Sequence, residues 1–322
     1  MKLRAFLILA VVTTVLAGFS KADPFSRGGI SDRLVERISE DVDPNMTPMR
    51  EPGDYRFSFI RDGVGRDYFV HVPDQYHGQP MPMLIALHEE EGEGGFAEDT
   101  LLIRKSQKAG FVIVAPNGYP LLPSTYSRFP SGSRATWNAG RCCGPAKYHN
   151  ADDVGFIREV INRVERQANI DHKRIFVTGF SNGAMMAWRL ACEAPEVRGI
   201  APVAGTDNTE TCHPSHPVAV IEFHASDDDH LPFYGGKGDP SIGHIDFTSV
   251  DASQQKWVEI DRANPAPERV LSVRGAYCDL HRGQAGGAPV ELCVTERGRH
   301  SWPGPTQAIN AYNLMWDFFS SL

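Results

Sequence analysis

Gly179-Phe180-Ser181-Asn182-Gly183 has the spacing Gly-x-Ser-x-Gly. In that pattern a serine can act as a nucleophile toward a carbonyl. A hydroxyl is weak in that role and needs a base, usually an imidazole, held in place by a carboxylate. Since the chain contains 30 glycines, the pentapeptide alone arises easily by chance, and its flanks must decide. Before it, "RIFVTGF" (174–180) is apolar and β-rich; after it, "NGAMMAWRLACEAP" (182–195) is Ala- and Met-rich with a small-residue first turn. This predicts a strand, a sharp turn at Ser181 and a helix, which would lift the hydroxyl clear of a sheet. Gly179 and Gly183 are then required because a Cβ would strike the neighbouring strand or helix. The helix start would also aim N–H groups and positive potential at any oxyanion formed there.

The partners must follow in workable places. Asp227, Asp228 and Asp229 come just after the apolar run "VAVIEFHA" (218–225), where the carboxyl end of a core strand would collect active-site groups. At least two of the three are expected to be solvated. His300, in "ERGRHSWPGP" between Gly298 and Gly304, follows the apolar "PVELCVTE" (289–296) in the same way. His230, His244 and His281 lie in polar stretches and are expected to face solvent. Trp302, beside His300, could wall a substrate pocket; Trp137, in "WNAGRCCG", reads equally as a pocket wall or a packing residue. Phe180 is expected to pack, and Asp152 and Asp153 to cap the helix that follows them.

The elements needed to hold these residues are legible. "YRFSFI" and "DYFVHV" alternate as a strand pair around the turn "RDGVGR". "MPMLIALH" (81–88) and "FVIVAP" (111–116) are continuous apolar runs of the kind found in buried parallel strands. "IAPVAG" (200–205) is another core strand. Helical patterns occupy "FAEDTLLIRKSQKAG", "NADDVGFIREVINRVERQAN" and the closing "QAINAYNLMWDFFSSL". The alternation predicts an α/β fold with a mostly parallel central sheet and helices on both faces, as one domain over 54–322. Residues 23–53 read as an N-terminal arm without a core of its own, apart from a short helical pattern near "SDRLVERISED".

Lys2 and Arg4 precede an apolar run from Ala5 to about Phe19, and Ser20 and Ala22 suit a cleavage site, so residues 1–22 read as a signal peptide. Export, secretion and no membrane association after cleavage follow as expectations. A net charge of −8 disfavours nucleic acid as a partner. In an oxidising compartment the six cysteines should form disulfides. Cys278 and Cys293 could staple a hairpin, and the neighbours Cys142 and Cys143 are expected to seek distant partners.

"WNAGRCCGPAKYHNADDVGFI", "RIFVTGFSNGAMMAWRLACEAP", "IAPVAGT", "FHASDDDHLPF" and "RHSWPGP" together resemble the polyhydroxybutyrate-depolymerase and feruloyl-esterase family of secreted α/β-hydrolases. The resemblance runs over roughly residues 54–320. It implies the α/β-hydrolase fold, Asp228 as the acid and His300 as the base of Ser181. It also implies an ester substrate, either hydroxycinnamoyl or acetyl esters on plant polysaccharide or short hydroxyalkanoate polyesters, and no cofactor or metal. One stretch departs from the family. Where glycines usually follow the third core strand, this chain has Glu89, Glu90 and Glu91. The expected oxyanion donors are the N–H of Asn182 and the Glu89–Glu90 backbone. The glutamates could instead leave a weakened hydrolase that binds polysaccharide or a partner, or gather Ca²⁺ through their oxygens. A serine peptidase on the same fold is a further alternative.

Overall fold

The computed structural model describes residues 37–39 (backbone only), 48–90, 99–123, 135–238 and 245–322. The strands are β1 (Arg37–Ser39), β2 (Gly53–Arg61), β3 (Val64–Val72), β4 (Met81–Leu87), β5 (Val112–Pro116), β6 (Tyr119–Pro120), β7 (Ala135–Thr136), β8 (Ile170–Phe180), β9 (Gly199–Val203), β10 (Ala219–Ala225), β11 (Gly236–Lys237), β12 (Asp246–Phe247), β13 (Glu268–Val273), β14 (Ala276–His281) and β15 (Val290–Thr295). The helices are α1 (Thr100–Ala109), α2 (Gly144–Tyr148), α3 (Asp153–Gln167), α4 (Asn182–Glu193), α5 (Val250–Ile260) and α6 (Ala311–Ser320).

Eleven strands form one sheet in the order β1-β2-β3-β5-β4-β8-β9-β10-β15-β14-β13. From β5 to β15 every neighbouring pair is parallel. β2 and β3 continue the sheet on one side as antiparallel strands, and β14 and β13 do so on the other. All seven residues of β4 and all seven of β10 are buried, as strands covered on both faces must be. Period-two alternation then assigns the faces. Met83, Ile85 and Leu87 pack with the apolar sides of α3 and α4 and with Trp257 of α5. Leu84 and Ala86 pack on the opposite side with Leu102 of α1 and Met315, Trp316 and Phe319 of α6. Aromatic pairs fasten α6 to the sheet: Phe319 stacks on Phe176 at 4.3 Å and Trp316 on Phe111 at 3.9 Å.

The expected helical pattern over 31–41 is corrected in part. Arg37–Ser39 is a strand, paired in parallel with Tyr55–Phe57. The hydrogen-bonding edge of β2 outweighs a weak local helical preference. The remainder of that pattern, and the signal segment 1–22, lie outside the described residues. Strand β13 and helix α5 carry no clear pattern in the sequence; five of the six β13 residues are exposed, so no alternation marks that strand.

Cys278 and Cys293 face each other across β14 and β15 and are bonded, as the hairpin reading required. Cys192 is bonded to Cys212. The expectation for the vicinal pair is overturned: Cys142 is bonded to Cys143. Both are buried beside Trp137, and the other four cysteines are committed to each other.

Candidate active site

Ser181 follows the last residue of β8 and stands at the start of α4. Its backbone has φ 55° and ψ −117°, a region that side-chain-bearing residues occupy only under constraint. The constraint comes from both sides. Ser181 N–H donates to Val203 O at 3.0 Å, and Met185 N–H donates to Ser181 O at 3.1 Å. A Cβ on Gly183 would lie 2.2 Å from Leu87 O, and one on Gly179 would lie 2.4 Å from the Gly183 carbonyl carbon. The glycines therefore let α4 press against the ends of β4 and β8. Serine at a helix start normally turns its hydroxyl onto the first-turn N–H groups. Here it makes no such bond, so Oγ is left to the site. The first-turn N–H groups of α4, that of Asn182 among them, have no intrahelical acceptor by geometry.

Asp228 lies three residues past β10 and is buried. Its Oδ1 accepts N–H bonds from His230 and Leu231, both 2.9 Å. Its Oδ2 lies 2.9 Å from His300 Nδ1, which as an imidazole N–H donates to it. Burial pushes the carboxyl upward, but hydrogen bonds from His224 and His300 outweigh it and hold Asp228 far below the usual carboxylate range. The acid is thus a fixed anion behind the imidazole.

His300 lies five residues past β15. Asp227 ties its loop down by accepting 2.8 Å bonds from the N–H groups of both Gly298 and Arg299. Those bonds also hold Asp227 below its ordinary value. The aspartate run therefore divides its work: Asp227 anchors the histidine loop, Asp228 faces the imidazole and Asp229 is exposed. The His300 ring packs 4.9 Å from Phe180, the residue before Ser181, and 4.9 Å from His230, nearly parallel to it. His230 was expected to face solvent; it is half-buried against His300 instead. Trp302 is half-buried, 6.5 Å from Phe180 and 5.2 Å from Tyr312, so an aromatic wall adjoins the imidazole.

Trp137 is not part of that wall, which corrects its reading as a substrate contact. It is fully buried, its indole N–H donating to His88 O at 3.0 Å. Its backbone N–H donates to Asn182 Oδ1 at 2.7 Å, and Asn182 Nδ2 donates to Trp137 O at 3.0 Å. The Asn182 side chain is consumed in this clamp, which holds the start of α4. The loop of Trp137 is in turn fixed by a buried ion pair. Arg66 Nη2 lies 2.8 Å from Asp153 Oδ1, and Asp153 Oδ2 accepts the N–H of Asn138 at 2.8 Å. Asp152 caps α3 as expected, accepting from Gly155 N–H at 2.9 Å; Asp153 serves this ion pair instead.

The segment after β4 is held by His88. Gly118 N–H donates to its Nε2 at 2.8 Å, so Nδ1 carries the proton and donates to Glu89 O at 2.6 Å. Burial lowers its pKa to about 4, which keeps the ring neutral in that tautomer. The Glu89 side chain is exposed and close enough to His300 and His230 for their charge to act on it. Glu90 turns its Oε1 toward Gly144 at the start of α2. Glu91 and His244 lie outside the described residues. Asp228, Asp229 and His230 place ligand atoms within 4.8 Å of one another, but both Asp228 oxygens already accept N–H bonds. That spent lone-pair capacity does not fit a cation site.

Residues 67–235 match the dienelactone hydrolase family, more than half of the chain and including Ser181 and Asp228. The chain belongs to the dienelactone hydrolase family. Among curated relatives, this family member is 25% identical over 245 residues to "Feruloyl esterase B" of Piromyces equi, covering 73% of this chain and 42% of that protein. It is 24% identical over 280 residues to "Feruloyl esterase C" of Emericella nidulans, covering 83% and 90%. It spans only 27% of a bifunctional acetylxylan esterase/xylanase from Neocallimastix patriciarum. Among solved structures, an acetyl xylan esterase from Aspergillus awamori superposes with a TM-score of 0.54 at 15% identity, covering 80% of this chain and 94% of that one. A putative dienelactone hydrolase from Klebsiella pneumoniae superposes with a TM-score of 0.50 at 15% identity, covering 84% and 98%. These structural likenesses bear on the fold, the α/β-hydrolase arrangement expected from the sequence.

Two site features escaped the sequence reading. One is His88, whose role depends on Gly118, 30 residues away. The other is the pair Glu222 and His224, both buried within β10. Two ionisable residues inside the apolar run "VAVIEFHA" were the available signal.

Proposed function

We propose that the chain is an exported carboxylic-ester hydrolase that works by acyl transfer, with Ser181 as nucleophile, His300 as base and Asp228 as the acid that orients it. The observation that carries this reading is the bond from His300 Nδ1 to the buried Asp228 carboxylate, made beside the left-handed turn that presents Ser181. With Nδ1–H committed to Asp228, His300 Nε2 is the lone-pair nitrogen. It takes the proton of Ser181 Oγ as the oxygen attacks the ester carbonyl, and Asp228 stabilises the imidazolium that results. The tetrahedral oxyanion is met by the Asn182 N–H at the start of α4 and by the backbone of Glu89–Glu90 held by His88. His300 then gives its proton to the departing alcohol, and water repeats the sequence to free the acid.

The curated relatives named as feruloyl and acetylxylan esterases support feruloyl or acetyl esters of plant polysaccharide as the substrate class. Short hydroxyalkanoate polyesters are the second class to test. The aromatic wall of Phe180 and Trp302 beside His300 suits a planar acyl group. Three disulfides support an oxidising compartment and hence secretion. Hydrolysis of p-nitrophenyl acetate by the mature protein and by Ser181→Ala tests the reading. The wild type should turn over and the alanine variant should not. Turnover by Ser181→Ala, or none by folded wild type, overturns it. Methyl ferulate, acetylated xylan and a hydroxybutyrate trimer then separate the substrate classes.

A further inference from the structure

β10 is an interior strand buried on both faces, yet one face carries Glu222 and His224, both buried, on the same side as Val220. Charged side chains at such positions are costly unless fully partnered, and aliphatic residues of similar size would commonly be at least as stable. Their partners form one chain that ends at the candidate triad. Gln254 Nε2 on α5 donates to Glu222 Oε2 at 2.7 Å. Glu222 Oε1 lies 3.5 Å from His224 Nδ1. His224 Nε2 lies 2.9 Å from Leu231 O and 3.4 Å from Asp228 Oδ2, the same oxygen that accepts from His300.

The protons follow from the partners. Leu231 O only accepts, and Asp228 is an anion, so Nε2 of His224 must carry a proton. We propose that His224, backed by Glu222, is a positioning residue for the reaction put forward above, on which this inference rests. It holds Asp228 from the side away from His300 and shares the charge of the oxygen that His300 uses. Two N–H donors then divide one carboxylate oxygen, so its pull on the His300 proton is moderated and its rotation is blocked. The other groups facing this cluster are Asp207 and Phe233. Asp207, in the loop after β9, is partnered by Lys256 at 2.8 Å and by the Trp257 indole at 2.9 Å; burial, with the Asp207 charge adding to it, raises the Glu222 pKa against the hydrogen bonds from His224 and Gln254. Phe233 presents its ring at a right angle 5.9 Å away. Burial alone would lower the His224 pKa, but hydrogen bonds to Asp228 and Glu222 outweigh it and raise it to about 9.

The test is the pH dependence of kcat/KM for p-nitrophenyl acetate in wild type, His224→Leu, His224→Gln and Ser181→Ala. His224→Leu removes the donor. It should lower kcat by about ten- to a hundredfold with KM changed less than about threefold, as expected when a group acts on the transition state rather than on binding. Its acid limb should move to higher pH by roughly half a unit or more, because Asp228 with one donor fewer draws the proton of its imidazole partner more strongly. His224→Gln, which restores a neutral N–H donor, should recover most of kcat. An unmoved acid limb in His224→Leu, with kcat falling only as the folded fraction falls, overturns the proposal. If His224→Leu does not fold, Glu222→Gln is measured instead. Without the Glu222 carboxylate the imidazole keeps only Asp228 to stabilise its charge, so the limb should move the same way by less; an unmoved limb again overturns the proposal. Turnover by Ser181→Ala would fail the triad reading itself, a result distinct from either of these.

Discussion

Asp228→Asn tests the central claim about the site, because the substitution preserves shape while it removes the negative charge and turns one acceptor into a donor. The four donors around the carboxylate leave an amide no good orientation. With its oxygen toward the N–H groups of His230 and Leu231, its NH₂ points at His300 Nδ1 and at His224 Nε2–H. His300 must then surrender the Nδ1 proton and carry it on Nε2, where it can no longer accept from Ser181. With the amide reversed, His300 keeps its tautomer, but the NH₂ faces two backbone donors. Leaving two buried N–H groups unmet costs about 1–3 kcal/mol each, or roughly 2–6 kcal/mol together. Either path removes about two to four orders of magnitude from kcat at tenfold per 1.36 kcal/mol. Steady-state hydrolysis of p-nitrophenyl acetate at pH 7.5, with circular dichroism as a check on folding, measures it. KM should change little. A folded Asp228→Asn variant within tenfold of wild-type kcat would refute the assignment of this carboxylate.

Two further predictions concern the frame. Asp261 is buried and its pKa is raised by desolvation to about 7, and among the described residues only the Val218 N–H bonds to its side chain. The unfolded chain ionises near the ordinary value, so between that pH and 7 the folded state holds a proton the unfolded state has lost, and stability falls as pH rises through this window. Asp261→Asn keeps the Val218 bond and should be more stable than wild type at pH 8 by on the order of 2–4 kcal/mol, with little difference at pH 4. Urea denaturation at the two pH values checks this, and a pH-independent difference would contradict it. Arg66→Met strips the buried Asp153 of its counter-charge and should cost about 3–5 kcal/mol. A thermal or urea shift worth less than about 1 kcal/mol would show that the pair does not hold the Asn138–Trp137 loop.

The local signals were strong where one periodicity dominated. β4, β10 and the 175–180 end of β8 are short, mostly apolar runs, and "GFSNG" joins strand to helix with glycines where a Cβ on Gly179 or Gly183 would lie within 2.5 Å of backbone. Such features are decided by neighbours a few residues away, so they are written in the order of the chain. Asp228 and His300 were legible as residues past strand ends, because a parallel sheet brings all its carboxyl ends to one rim. Position past the strand did not say which aspartate faces the imidazole, and only the family resemblance singled out Asp228, since Asp227, Asp228 and Asp229 differ in the direction each points once the loop closes onto Gly298 and Arg299. The same holds for Trp137, which an aromatic count could place on a wall but the Asn182 clamp places inside. It holds too for Cys142, whose nearest available partner turned out to be its own neighbour. Composition and order determined the strands, the elbow and the roster of chemically able groups. Only tertiary structure decided the pairings, because a hydrogen bond depends on direction and on competing donors that arrive from distant parts of the chain.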